Sequence, residues 1–251
     1  PATQAEPASE APAPETNEKP PKMKVELVET TSPEPGAHSL ALTFEIEDGW
    51  HIYWANPGES GLPTRLLLTG PEGVEFGDVE YPLPETFVAP GDIQSYGYGH
   101  RTALFSAVQG AKAGDEITGK ASWLVCKSSC IKQNAELTVT LGEAKTSAFD
   151  DLRKRVPAAF AGAPASEANW ESDARGARLT LTFSDEAPTR FLPGPTDPFI
   201  LEEQSLEGNT LTLRWRRVAP SAPSGGQGVL VFGTEPQPRS FNLTLDWPPT
   251  T

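Results

Sequence analysis

Cys126 and Cys130 are the only two cysteines in the chain. They lie four positions apart in Trp123-Leu124-Val125-Cys126-Lys127-Ser128-Ser129-Cys130-Ile131. Thiols at this spacing can exchange with other disulfides or bind a soft metal ion. A disulfide needs its Cα atoms about 4.4–6.8 Å apart, whereas four residues of extended chain span roughly 13 Å. The chain must therefore turn between the two. Lys127-Ser128-Ser129 is a loop of turn-tolerant residues with a common hairpin length. A helical turn would also bring positions i and i+4 together. The flanks favour the hairpin: Ala121–Val125 is strand-like, and Ala135–Leu141 alternates cleanly.

Energy bears on purpose. Closing a ring of five residues is worth only about 2 kcal/mol in the loop-entropy model, against about 4.7 for a hundred-residue loop. A chain of 251 residues can build a core without such a staple. A short bridge near a loop tip is the kind more readily reduced. Lys127 adds a positive charge beside the sulfurs, which favours thiolate. A redox pair and a small structural disulfide both fit this spacing.

Other chemistries have little support. The histidines are His38, His51 and His100, and no HExxH, Walker loop, GxSxG or paired-CxxC pattern occurs. No metal site and no cofactor is assigned. The net charge of −14 argues against nucleic acid as a partner. No apolar run reaches the roughly 18 residues of a membrane span, and no signal peptide is visible. A start at Pro1 reads as a mature or trimmed form, and the even, minimal cysteine count fits an oxidising compartment.

The elements that must position the cysteines are strands. High Pro and Gly content and the near absence of long helical periodicity predict an all-β chain. Residues 1–22, rich in Pro, Ala and Glu, are expected to form a disordered tether. Residues 23–145 hold alternating strands. Among them is Trp50-His51-Ile52-Tyr53-Trp54, with the tryptophans and Ile52 on one face and His51 and Tyr53 on the other. The tryptophans are expected to be core anchors, and His51 lacks a neighbouring second metal ligand. Gly91–His100 is expected to be a mobile loop whose Gln94, Ser95, Tyr96, Gly97 and Tyr98 form an aromatic lid. Residues 146–168 are assigned to one short connecting helix, over Ala148–Pro157, and an Ala/Pro/Gly linker. Residues 169–251 are assigned to a second, smaller β-sandwich with a structural or partner-positioning role.

The stretch Trp50-His51-Ile52-Tyr53-Trp54-Ala55-Asn56-Pro57-Gly58-Glu59-Ser60-Gly61-Leu62-Pro63-Thr64 combines with Tyr96-Gly97-Tyr98 and Trp123-Leu124-Val125-Cys126-x3-Cys130. Together they resemble the N-terminal periplasmic domain of the DsbD/ScsB thiol:disulfide interchange proteins over about residues 23–157. The following β-domain is similar to the ScsB-type arrangement. The resemblance implies an immunoglobulin-like β-sandwich with Cys126 and Cys130 as the active pair and the Tyr96–Tyr98 region as its protective cap. It implies a periplasmic thiol-disulfide oxidoreductase component, exported and tethered to the membrane through the N-terminal tail. Such a component takes electrons from a thioredoxin-like donor, fed by a membrane electron-transfer domain, and passes them to disulfide-containing periplasmic clients. The CxxxC spacing is closer to ScsB than to DsbD, and the membrane and thioredoxin-like domains of the family are not in this sequence. Two other readings stand beside it: copper binding and copper tolerance through the two thiolates, and a non-catalytic β-sandwich binding module with a structural disulfide.

Overall fold

Short runs of β-branched and aromatic residues, broken by Gly and Pro, fold into strands because each buries one face while the turns between them need special backbone angles. The structure, a computed structural model, describes residues 19–33, 37–142, 146–162, 164, 166–173, 176–195, 199–217, 226–234 and 237–245. The tether expected over residues 1–22 lies outside the described residues as far as residue 18.

The first half of the chain contains β1 (Met23–Thr30), β2 (His38–Ile46), β3 (His51–Gly58), β4 (Arg65–Thr69), β5 (Glu75–Phe76), β6 (Glu85–Ala89), β7 (Ile93–Gly99), β8 (Arg101–Gln109), β9 (Glu116–Cys126) and β10 (Cys130–Thr140). A short helix α1 (Asp150–Arg153) follows. The second half contains β11 (Ala158–Ala159), a 3₁₀ turn (Phe160–Gly162), β12 (Ser166–Asp173), β13 (Gly176–Phe183), β14 (Arg190–Pro193), β15 (Phe199–Glu207), β16 (Thr210–Arg217), β17 (Gly226–Phe232) and β18 (Arg239–Leu245).

Two β-sandwiches result, the first immunoglobulin-like. It faces a sheet of order β1-β2-β8-β5 with a larger sheet of order β10-β9-β3-β7-β6, in which β4 also pairs with β9. Leu40, Leu42 and Phe44 of β2, Ile52 of β3, Leu104 of β8 and Val125 of β9 are fully buried between them. The second sandwich faces β11-β18-β17-β14 with β12-β13-β16-β15 around Leu179, Phe183, Leu213, Trp215 and Phe232. Leu192, Val229 and Val231 of this second half pack into the core of the first. The Asn56 amide donates to the Pro193 carbonyl at 2.7 Å.

Three differences from the sequence pattern have physical causes. Strand β2 is buried on nearly its whole length, not on one face, because Leu152 of α1 covers Ala41, Ala103 and Phe105 on the outer side. Arg153 holds that cover in place: its guanidinium lies 3.9 Å from the Phe105 ring centre and 2.6 Å from Glu80. The helix expected over 148–157 is only Asp150–Arg153. Beyond it the chain tightens into i→i+3 bonds, Arg155 to Leu152 and Val156 to Arg153, and Leu83 takes the Arg155 carbonyl. Finally, the expected linker over 158–168 carries β11, the 3₁₀ turn and the start of β12. Its small side chains let Ala158 and Ala159 add in parallel to Phe241 and Asn242 through backbone bonds.

One buried charge ties the rim of the first sandwich together. Glu29 on β1 is 1% exposed. Its carboxylate sits 2.7 Å from His38 Nδ1 and accepts the Gly142 N–H at 2.5 Å. Removing it strands both partners, so Glu29→Ala is expected to cost about 3 kcal/mol. In thermal unfolding this corresponds to a fall in Tm of roughly 6–12 °C for a chain of this size. An unchanged Tm would show that the pair contributes nothing.

Candidate redox site

The cysteines sit at the tip of the β9–β10 hairpin. The register pairs Trp123 with Gln133, Val125 with Ile131, and Cys126 with Cys130. Lys127–Ser129 form the loop, and the Lys127 N–H donates to the Ser129 carbonyl at 3.0 Å. That bond leaves Cys126 and Cys130 at the close-approach, non-hydrogen-bonded position of an antiparallel ladder. Their Cα atoms are 4.2 Å apart and their sulfurs are bonded. The hairpin is therefore the geometry adopted, and the helical turn is not.

The two sulfur-bearing residues have different surroundings. Cys126 is 2% exposed, while Cys130 is exposed. The Tyr53 hydroxyl donates to Cys126 Sγ at 3.3 Å and lies 3.9 Å from Cys130 Sγ. Strand alternation puts Tyr53 there. Ile52 and Trp54 of β3 and Trp50 just before it enter the core, which turns His51 and Tyr53 to the opposite face. Strand β3 lies beside β9, with His51 opposite Cys126 and Ile52 opposite Val125. The Tyr53 ring is held by Gly61, where a Cβ would come within 2.3 Å of it. Gly61 also has φ +109°, so both the space and the backbone favour glycine.

His51 extends this cluster. Its ring meets Tyr53 edge-on at 5.2 Å and stacks on Phe87 of β6 at 4.4 Å, 15° from parallel. Burial lowers the His51 pKa and raises that of Tyr53. At neutral pH the imidazole is therefore uncharged and the phenol keeps its proton.

The expected lid is not a loop. Residues 93–99 form β7, paired with β3 on one side and β6 on the other. Tyr98 stands opposite Ile52, points into the core and donates its hydroxyl to the Pro82 carbonyl at 2.7 Å. Tyr96 packs at the core margin, edge-on to Trp54. The Tyr98 ring thus lies across the sheet from the sulfurs, and Tyr96 reaches Trp54 rather than the disulfide. Gly97 lets β7 lie close against β3: a Cβ there would lie 2.1 Å from the Ile52 carbonyl oxygen. Ser95 is buried against the Ser60 carbonyl. The Gln94 backbone N–H donates to Glu59 at 2.7 Å. Lys127 is exposed and leans over the β2–β3 turn, its Nζ 3.5 Å from where a Cβ on Gly49 would stand.

Sequence reasoning found both cysteines, their hairpin and the two faces of β3. It missed Tyr53, His51 and Phe87 as neighbours of the site. The signal for the first two was available, since they occupy the face that the tryptophans vacate. Phe87 had none, because its place depends on the non-local pairing of β7, its hairpin partner, with β3. Leu62, Val88 and Ile93 of the same sandwich are exposed large apolar residues. Among the described residues, no group of three or more His, Cys, Asp or Glu side chains is placed to hold a metal ion. The copper reading therefore rests on the two sulfurs alone.

Residues 18–142 match the family model described as thiol:disulfide interchange protein DsbD, N-terminal. The crystal structure of the N-terminal periplasmic domain of ScsB from Proteus mirabilis resembles the chain with a TM-score of 0.63, covering 90% of this chain and 94% of that one. Sequence identity there is 16%, so that likeness is one of fold. No curated protein matches the chain. Through residues 18–142, this chain belongs to the family of the N-terminal domain of the thiol:disulfide interchange protein DsbD.

Proposed function

We propose that this chain is a thiol:disulfide interchange module that passes electrons from a thioredoxin-like donor to disulfide-containing clients in the periplasm, with Cys126 and Cys130 as its reactive pair. The observation that carries the reading is the inequality of the two cysteines: one exposed at a hairpin tip, one buried under a hydroxyl donor. Family membership supports the chemistry, and the likeness to a periplasmic domain supports the compartment. No helix among the described residues is long and apolar enough to cross a membrane. Within this reading, residues 23–145 are the redox sandwich, and the second sandwich, expected over 169–251, also takes in β11 and the start of β12 from the connecting stretch.

The exchange runs through Cys130. A donor thiolate attacks Cys130 Sγ, a new S–S bond forms, and the Cys126–Cys130 bond breaks. Its electron pair leaves on Cys126, where the Tyr53 hydroxyl donates to the new thiolate. The donor's second thiolate then attacks its own partner sulfur, which frees Cys130 and leaves the donor oxidised. In the forward direction, the Cys130 thiolate attacks a client disulfide. Cys126 then attacks Cys130 Sγ, restoring the bridge and releasing the client reduced. A leaving thiolate with a hydrogen-bond donor in place leaves faster, because its effective pKa is lower.

Trapping tests the assignment. The Cys126→Ser variant is expected to accumulate a mixed disulfide on non-reducing gels when a thioredoxin-like protein is added in its disulfide form, the Cys130 thiolate attacking that bond. The Cys130→Ser variant should trap little, because its remaining thiol is buried. Both should keep the wild-type near-ultraviolet circular dichroism, given a bridge worth only about 2 kcal/mol. Equal trapping by both variants, or by neither, overturns these roles for the two cysteines. Tyr53→Phe keeps the ring against Gly61 but removes the donor. Stopped-flow exchange should slow about 2–10-fold, the worth of one hydrogen bond, and an unchanged rate would remove Tyr53 from the mechanism.

A further inference from the structure

We propose that His51 is the proton-holding partner of Cys126: in the reduced protein its imidazole shares a proton with the buried thiol, so that Cys126 is ready as a thiolate. This rests on the exchange reading above and assigns a positioning residue to it.

The argument begins from register. His51 on β3 is directly opposite Cys126 on β9, and directly opposed residues of an antiparallel pair share a face with Cβ atoms about 4.5–5.5 Å apart. That face is the sulfur face, since Tyr53, two positions along, reaches Cys126 Sγ. The ring is held on two sides, by the edge contact with Tyr53 and the stack on Phe87. Phe87 lies next to Gly99 of β7, whose Cβ position is in ordinary contact, 3.9 Å, with Phe87 Cζ. Held in this way, the imidazole makes no hydrogen bond to another described side chain or backbone group. It is a half-buried titratable group that the exchange steps above do not use.

Cys126 needs such a group. A buried thiolate is disfavoured by desolvation, and one hydroxyl donor offsets that only in part. An imidazolium beside it would supply an opposite charge. Burial keeps the ring neutral in the disulfide form, which leaves it free to accept the proton when the bond is cut. The other groups around the ring are Tyr53 on its own strand, Glu85 on β6 and Lys127 in the hairpin loop. The Asp48–His100 pair lies by the β2–β3 turn. Glu85, whose carboxylate comes within 3.9 Å of the Gly99 Cβ position, favours the cation. Lys127, over Gly49, opposes it but is solvent-exposed. Asp48 and His100 pair with each other at 3.0 Å in the open.

The protons balance. Reducing the disulfide takes two electrons and two protons; one proton goes to Cys130 and the other is held by the Cys126–His51 pair. When Cys126 attacks Cys130 Sγ to release a client, that second proton passes from His51 to solvent or to the departing thiolate.

The test is a titration of the full chain in both redox states. Nuclear magnetic resonance of the histidine ring protons, with His51 assigned by its loss in His51→Phe, should place its midpoint about one pH unit higher in the reduced form than in the disulfide form. In a Cys130→Ser background, the ultraviolet thiolate absorbance of Cys126 should rise at higher pH once His51→Phe is added, a roughly tenfold fall in acid dissociation constant. Midpoints that are the same in both redox states for all three histidines overturn the inference, and that comparison needs no variant that might fail to fold. Coupled titration in a protein that traps no partner would instead sink the exchange reading and leave the pairing intact.

Discussion

Trp50, Ile52 and Trp54 are buried on one side of β3, and a strand cannot bury one face without presenting the other. That constraint shapes the site. The residues presented are His51 and Tyr53, and β3 runs directly beside the end of β9 that carries Cys126. The core therefore sets the chemistry by geometry alone: the force that drives the indoles inward is the force that holds a phenol against a sulfur. A slip of one residue in β3 would exchange the faces, exposing the tryptophans and hiding the hydroxyl. The hydrophobic cost of that slip is several buried aromatic side chains, each worth on the order of 2–3 kcal/mol. A hydrogen bond to sulfur could never supply such precision by itself.

The disulfide has the opposite character. It closes a small ring between residues that the hairpin already places in register. Its contribution to folding is therefore small, while its position at a strand end leaves Cys130 open. A bridge that the fold does not need can be broken and remade without disturbing the fold, which is what an electron carrier requires. On the proposed exchange reading, the inequality of the cysteines gives direction within the pair, because Cys130 is exposed while Cys126 is buried against its neighbour.

Much of this was legible in the sequence, and the failures share a cause. The cysteine hairpin, the two faces of β3 and most strands of both sandwiches follow from local rules of period and turn chemistry. Gly91–His100 did not, because a Tyr-Gly alternation reads as a loop when taken alone. Its glycines serve close backbone approach, as Gly97 does against Ile52, and its tyrosines serve the core. The helix was overextended for a related reason: the Arg155 carbonyl is claimed by Leu83, a partner far back in the chain that no local pattern announces. The strands of 158–168 were hidden by composition, since Ala and Pro suggest a linker unless a neighbouring strand edge is known to await them.

With residues 93–99 paired as β7, Tyr98 turns to the Pro82 carbonyl and Tyr96 to Trp54. The side chains beside Cys126 are Tyr53 and, opposite it on β3, His51, the latter stacked on Phe87. The far end of β3 is fixed as well, since Asn56 is bonded to the Pro193 carbonyl of the second sandwich. Leu192, Val229 and Val231 join the first core. Tyr53 thus lies on a strand held at both ends, between the disulfide and the contact with the other half of the chain. Rigid placement of this kind lowers the cost of organising the site at each exchange. On the proposed exchange reading, selection between partners falls to what can dock at the hairpin tip, where Cys130 is exposed.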